Sequence, residues 1–350
     1  MKIHCNFTGG NIDVKNIDGD NIFVERQLRD TVGDWFYWAF CVEGAAGKKL
    51  TFNFQRDRLG YFGPAVSHDL KDWHWLGSCD GDTFTYQFGE NEDKVYFAHN
   101  MLYHPDRFYA LTEKLNLDVR ELCTGYKGRS VPCVGFGDGD ISIILTARHH
   151  CCESTDNYVL EGVITELCEN PCNDIKVFCV PFVDFEGVID GDQGKNRAPF
   201  DHNRDYGINS APIYPETAAI RKYAKENGCH LGFDFHSPWH KGAENDTMFI
   251  VCGLPENIAK YNRFGEIFKS EITDKAFKYN PANNYKPNTG WNQSDSPQFA
   301  KFMQSLHEND VAFTLETAYF GTPENRVSQE NLIESGRCFA RAIKKYIKDM

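Results

Sequence analysis

His150 and Glu153, in the run ILTARHHCCES at residues 144–154, stand three residues apart just after an apolar, strand-like segment. At that spacing two side chains project to the same side of a tight turn or a first helical turn, and imidazole with carboxylate is a ligand pair used for catalytic Zn²⁺. HxxE is common in surface turns, so the pair gains weight from its company. DFHSP at residues 234–238 supplies His236, and FTLETA at residues 313–318 supplies Glu316, each inside another apolar run. An ionised carboxylate at Glu316, beside Leu315, is costly to bury unless a cation or a water network pairs with it. A fourth segment, DGDQGKNRAPFDHNRDY at residues 190–206, adds Arg197 and the pair Asn203-Arg204. Guanidinium groups grip carboxylates with two parallel N–H donors, so an arginine near a metal site points to a substrate with a free carboxylate. Standing alone, the segment reads equally as a solvated, glycine-rich charged loop.

These residues must be positioned by the elements around them. Residues 1 to about 110 alternate apolar and polar positions in short runs such as NIFVERQ, WFYWAFCVE, KKLTFNFQ and KVYFAH, separated by glycine, asparagine and aspartate turns. That pattern predicts an antiparallel β-sandwich domain over residues 1–110. From residue 111 to 350 the rhythm changes. ISIILTA, IKVFCVPFV, HLGFDFH and VAFTLETA are predicted strands; STDNYVLEGVITELCEN, PETAAIRKYAKENG and SPQFAKFMQSLHEN are predicted helices, and NLIESGRCFARAIKKYIKD closes the chain. Alternating strands and helices imply an α/β domain with a mixed, largely parallel sheet flanked by helices. The helix after the metal pair starts at Ser154 or Thr155, either of which suits an N-cap. It carries Val159, Leu160, Val163, Ile164 and Leu167 at helical spacing and stops at Asn170-Pro171. In open α/β sheets ligands collect beyond the carboxyl ends of the strands. His150, His236 and Glu316 all fall at or just past such an end, so three distant segments converge on one edge. The polar, aromatic stretch at residues 279–297 is a candidate wall for the substrate.

Composition narrows the function classes. A chain of 350 residues with 41% hydrophobic content can bury a large core, and its length suits two domains. No run approaches the roughly 18 to 20 consecutive apolar residues of a membrane span. The start MKIHCNFTGG lacks the layout of a secretion signal, so the expected compartment is the cytoplasm. The thirteen cysteines, an odd number in a long chain, are expected to be reduced thiols. Cys151 and Cys152 sit between the paired ligands and read as small buried hydrophobes. A net charge of −13 argues against nucleic acid as a partner, because a phosphate backbone needs a basic surface. Trp35, Phe36, Tyr37 and Trp38, with Trp73 and Trp75, are either core packing or, if exposed, a surface that stacks on sugars.

HHCCE, DHNRDY, DFH and FTLETA, taken in that order, resemble the motifs of the zinc carboxypeptidases of the carboxypeptidase A type. The stretch LCTGYKGRSVPCVGFGDGDISIILTARHH is similar to the family's approach to the metal motif, and the amino-terminal WFYWAFCVEGAAGKKLTFNF resembles the β domain that precedes the catalytic domain in the branch called cytosolic carboxypeptidases, so the resemblance covers most of the chain. It implies Zn²⁺ held by His150, Glu153 and His236, with Glu316 as general base. It further implies that Arg204, aided by Asn203, grips the terminal carboxylate of a peptide or protein substrate, and that Arg197 stabilises the oxyanion. The chain departs from the family in having Cys151-Cys152 between the ligands, and in showing Gln193, Gly194 and Lys195 where the oxyanion arginine tends to lie. The expected function is hydrolysis of a C-terminal peptide or isopeptide bond. The alternatives are a zinc amidohydrolase that deacylates a small amino-acid or cell-wall-peptide conjugate, and a non-catalytic module that binds carbohydrate or protein. Asp295, Lys286 and Lys301 are charged residues that could tune specificity if they reached the pocket.

Overall fold

The computed structural model describes residues 1–350, apart from the side chain of Asp349. Nine strands come first: β1 (Lys2–His4), β2 (Asp13–Asp18), β3 (Asn21–Glu25), β4 (Ala39–Glu43), β5 (Lys49–Asn53), β6 (Ala65–Ser67), β7 (His74–Trp75), β8 (Thr83–Gln87) and β9 (Lys94–Ala98). They form two sheets, ordered β1-β4-β9-β6-β7 and β2-β3-β5-β8. The sheets face each other across a core that includes Trp38, Phe40, Val42, Phe52, Phe84 and Phe97. Because successive strand side chains alternate, Tyr37, Ala39 and Cys41 point the other way and join the core of the α/β part. The segment leading into β4 is thus buried on both faces, which explains why WFYWAFCVE is apolar almost throughout. It also removes the sugar platform: Phe36 is 2% exposed, Tyr37 3% and Trp38 0%, and Trp73 and Trp75 are buried too. The expected antiparallel pairing holds except between β3 and β5, which run parallel with Asn21 opposite Thr51. Between them the chain crosses to the other sheet as β4, so β5 returns in the direction of β3.

After helix α1 (Pro105–Lys114) come β10 (Val119–Thr124), β11 (Ser130–Phe136), β12 (Ile141–Ala147), α2 (Thr155–Glu169), β13 (Ile175–Val180), α3 (Phe185–Asp190), α4 (Pro215–Asn227) and β14 (Leu231–His236). They are followed by β15 (Met248–Val251), α5 (Ile258–Glu271), α6 (Phe299–Gln304), β16 (Val311–Thr317) and α7 (Gln329–Tyr346). The seven strands make one sheet in the order β10-β11-β13-β12-β14-β16-β15. The four strands predicted from sequence, β12, β13, β14 and β16, are its parallel centre, and the remaining strands pair antiparallel at the two edges. Helices cover both faces: Phe233 of β14 packs on Phe264 of α5 and Phe339 of α7, while on the other face Phe178 of β13 stacks on Tyr223 of α4. Among the described residues no helix is long and apolar enough to cross a membrane.

Helix α2 begins and ends where the sequence predicts, but without the expected side-chain cap. Ser154 already has helical angles (φ −76°, ψ −27°), and the Thr155 hydroxyl is engaged with that of Ser237 at 2.6 Å. The helix is held instead by its contact with α7, where two glycines meet. A Cβ on Gly162 would come 1.9 Å from the Ile333 carbonyl oxygen, and one on Gly336 1.9 Å from that of Val159. Only hydrogen at both positions lets the backbones approach so closely. Alanine in a helix interior ordinarily gains up to about 1 kcal/mol over glycine, yet here it must push two helices apart, at a cost of typically 1–3 kcal/mol. Gly336→Ala is therefore expected to lower the midpoint of denaturant unfolding; an unchanged or higher midpoint would show that the helices separate freely.

Candidate active site

At the end of β12 the chain turns sharply, with Arg148 in the left-handed region at φ 62°. The Arg148 guanidinium holds the turn closed by donating from Nε to the Cys151 carbonyl at 2.7 Å and from Nη1 to Asn157 Oδ1 at 2.9 Å. His150 and Glu153 therefore lie on one side of the turn, joined further by the Glu153 N–H donating to the His150 carbonyl at 3.1 Å. His236 is the last residue of β14, and on the adjacent parallel strand its register partner is Glu316. The strand ends thus bring His150, Glu153 and His236 together so that one ligand atom from each lies within 4.8 Å of the others.

Glu153 is the centre of the arrangement and has no solvent exposure. His150 Nδ1 is 2.9 Å from its Oε1 and His236 Nδ1 is 2.7 Å from its Oε2. The latter contact is not aligned as a hydrogen bond, so Oε2 is a buried acceptor without a donor. Two imidazole nitrogens and a carboxylate oxygen, one of them unsatisfied in a buried position, match the donor set of a catalytic zinc site. The far nitrogens of both rings also have partners: His236 Nε2 is 2.7 Å from Asp234 Oδ2 and His150 Nε2 is 3.2 Å from Asp201 Oδ2. Carboxylates behind ligating histidines fix the tautomer and ring orientation. Burial opposes the charged form of Glu153, but Lys195, His150 and His236 override it and hold the carboxyl well below its ordinary range. Burial has the opposite outcome at Glu316, whose pKa it pushes up to about 7 against the pull of His236. Glu316 Oε2 has no hydrogen-bond partner.

His150, Glu153, Asp201, His236 and Glu316 line one cavity of about 350 Å³ together with Asn203, Arg204 and Lys195. Asn203 Nδ2 lies 3.2 Å from His236 Nε2. Arg204 donates to the Asn203 carbonyl at 3.0 Å and, among the described residues, pairs with no carboxylate within 4 Å. Trp291, from the polar loop at residues 279–297, contributes to the wall with Trp35 of the β part. Lys286, Asp295 and Lys301 do not line the cavity.

Arg197 stands elsewhere. Its guanidinium is ringed by Asp184 at 2.5 Å, Asp192 at 3.1 Å and Asp30 at 3.6 Å, outside the cavity lining. Enclosed by three carboxylates away from the cavity, the guanidinium does not face a substrate there, so the oxyanion role expected of it does not suit this position. Two residues earlier in the same loop, Lys195 does reach the cavity, with Nζ 2.5 Å from Glu153 Oε1. Neither Asp234 nor Asp201 is singled out by the sequence motifs. Both sit two residues before a site residue, His236 and Asn203, and the period-2 alternation of a strand puts Asp234 on the face of His236. Cys151 and Cys152 are buried and take no part in the ligand group: the Cys151 thiol donates to the Asp192 carbonyl at 3.1 Å, and burial pushes Cys152 up to about 12.

No known family profile matches the chain. An uncharacterised protein of Zymomonas mobilis is 25% identical over 336 residues, covering 89% of this chain and 84% of that protein. Among solved structures, a metallo-carboxypeptidase from Burkholderia cenocepacia superposes with a TM-score of 0.83 at 20% identity, over 99% of each chain. A metallo-carboxypeptidase from Pseudomonas aeruginosa in complex with (2-guanidinoethylmercapto)succinic acid gives 0.81 at 20% identity over 100% of both chains. Carboxypeptidase A from Helicoverpa armigera gives 0.54 at 17% identity over 71% of this chain and 73% of that one. The chain has the fold of the metallo-carboxypeptidases from end to end, as the resemblance to the carboxypeptidase A type implied.

The Arg197 cluster carries its own consequence. Removing one partner of a buried ion network strands the others and costs roughly 3–5 kcal/mol. Arg197→Ala is expected to destabilise the protein by that order in urea titrations, whereas a loss below about 1 kcal/mol, the range of an exposed pair, would show that the cluster is solvated.

Proposed function

We propose that this protein is a zinc metallocarboxypeptidase that hydrolyses the C-terminal peptide or isopeptide bond of a peptide or protein bearing a free carboxylate. The observation that carries the reading is the meeting of His150, Glu153 and His236, with Glu316 as the register partner of His236. A zinc ion held by His150, Glu153 and His236 supplies Lewis acidity for a carbonyl oxygen and lowers the pKa of water. Glu316 is the general base: its buried carboxylate takes the proton from the attacking water and passes it to the leaving amine as the C–N bond breaks. Asp234 and Asp201 keep the two imidazoles oriented. Arg204, with Asn203 beside it, grips the terminal carboxylate through its forked donors, which restricts cleavage to the last bond of the chain.

Residues 1–110 form the β domain and residues 111–350 the catalytic domain in this reading, with Trp35 of the former narrowing the cavity so that only extended chain ends enter. The cytoplasm is the compartment that suits thirteen cysteines, all of them unpaired.

Glu316→Gln keeps the shape of the side chain and removes the base. Turnover of a free-carboxylate peptide should fall by about 10²–10⁴-fold with zinc content unchanged; wild-type turnover in this variant would remove Glu316 from the chemistry. A companion substrate screen should give cleavage of free-carboxylate ends and none of amidated ones. Preference for amidated ends or acyl amino acids would transfer the site to amidohydrolase chemistry.

A further inference from the structure

Two of the side chains that line the cavity carry a fixed positive charge, Arg204 and Lys195. Arg204 has a task in the peptidase reading; Lys195 has none, and its setting is not that of a surface lysine. The residue is 7% exposed. Its ammonium donates to the backbone carbonyls of Ser237 at 3.0 Å and Pro238 at 3.3 Å, and its remaining contact is Glu153 Oε1 at 2.5 Å. Two of three N–H bonds are thus tied to backbone, and the third is directed at the ligand carboxylate beside Glu316.

The loop that presents Lys195 is held from the β part of the chain. Asp30 accepts from the Gln193 N–H at 3.0 Å with one oxygen and from the Gly194 N–H at 2.9 Å with the other. Thr31 donates to the Lys195 carbonyl at 2.7 Å. Gln193 is itself locked to the backbone of Tyr37, accepting at 2.9 Å and donating at 2.8 Å. Gly194 has φ 76° and passes so close to the metal-site turn that a Cβ there would lie 2.4 Å from the Cys151 nitrogen. The ammonium is therefore held from both ends, by a loop tied to the β part of the chain and by carbonyls that follow His236.

We propose that Lys195 is the cation that stabilises the oxyanion at the scissile carbonyl, and that Asp30 acts as its positioning residue; the proposal rests on the peptidase reading. As the water oxygen bonds to the carbonyl carbon and its proton goes to Glu316, the carbonyl π pair moves onto oxygen. Lys195 meets that charge without giving up a proton. When the C–N bond breaks, the pair returns to the carbonyl and the amine leaves with the proton from Glu316. A preorganised, buried charge acts where charge develops and has little to reorganise.

The test uses the zinc-loaded full chain as wild type, K195M, K195R and D30A. Zinc content, kcat and KM are measured with a free-carboxylate peptide. Affinity is measured for a peptide phosphinate, whose phosphorus mimics the tetrahedral carbon, and for a substituted succinate, which has no such centre. K195M should lower kcat and weaken the phosphinate by about 10²–10³-fold, with zinc content and succinate affinity unchanged. K195R should recover part of both losses, and D30A should lower kcat with KM and zinc unchanged. Equal phosphinate affinity in K195M and wild type overturns the proposal. So does loss of zinc, or equal weakening of both inhibitors, since either makes Lys195 only a partner of Glu153. If the wild type itself neither cleaves peptides nor binds the phosphinate, it is the peptidase reading that fails.

Discussion

Glu153 carries a negative charge in a place that water does not reach, and a carboxylate there is tolerable only with positive charge around it. Much of the surrounding structure follows from that requirement. The tight turn after β12 aims His150 at one oxygen, the end of β14 aims His236 at the other, and the loop before Arg197 adds Lys195. Even so, one oxygen lacks a hydrogen-bond donor, and in the proposed enzyme a divalent ion completes the set. The same burial acts in the reverse sense on Glu316, a carboxyl whose pKa rises to about 7. Two glutamates of one cavity are thus driven apart in proton affinity by their partners, and in the proposed enzyme one holds the metal and the other moves a proton.

The β part of the chain contributes to this balance rather than merely capping the α/β part. The strand segment around Tyr37 shares its two faces between the sandwich core and the larger core beneath the active site, so the two parts cannot separate without exposing both. Asp30 joins them by hydrogen bonds to the loop at Gln193 and Gly194 and by its contact with Arg197. Arg197 in turn neutralises Asp184 and Asp192. In the proposed enzyme, a loop braced by a second layer of strands meets the requirement of preorganised electrostatics that the charge be held in place before substrate binds.

The four central strands and the helices α2, α4, α6 and α7 were legible because their apolar runs are bounded by polar turns, and the strand ends located His150, His236 and Glu316. Helix α5 was harder to see: Tyr261, Phe264 and Phe268 have helical spacing, but Gly265 lies among them and glycine argues for a loop. The parallel pairing of β3 with β5 depends on a crossover between sheets that local alternation does not encode. Arg197 and Lys195 show the limit most plainly. Chemistry favours a forked guanidinium for an anion, but the residues that capture it, Asp30, Asp184 and Asp192, are scattered over more than 150 positions. No local pattern reveals that they close around the arginine and leave the lysine facing the cavity.

The central claim is that one metal ion sits among His150, Glu153 and His236, and it is tested most directly by an anomalous difference map recorded at the zinc edge from crystals of the protein. The account predicts a single strong peak bonded to the Nδ1 atoms of both histidines and to the Glu153 carboxylate, within reach of Glu316. Among the described residues there are two other groupings of possible ligands, His149 with Asp234 and His236, and His4 with Cys41 and Glu43. A peak at either of them, or no peak between the two imidazoles and Glu153, would contradict it.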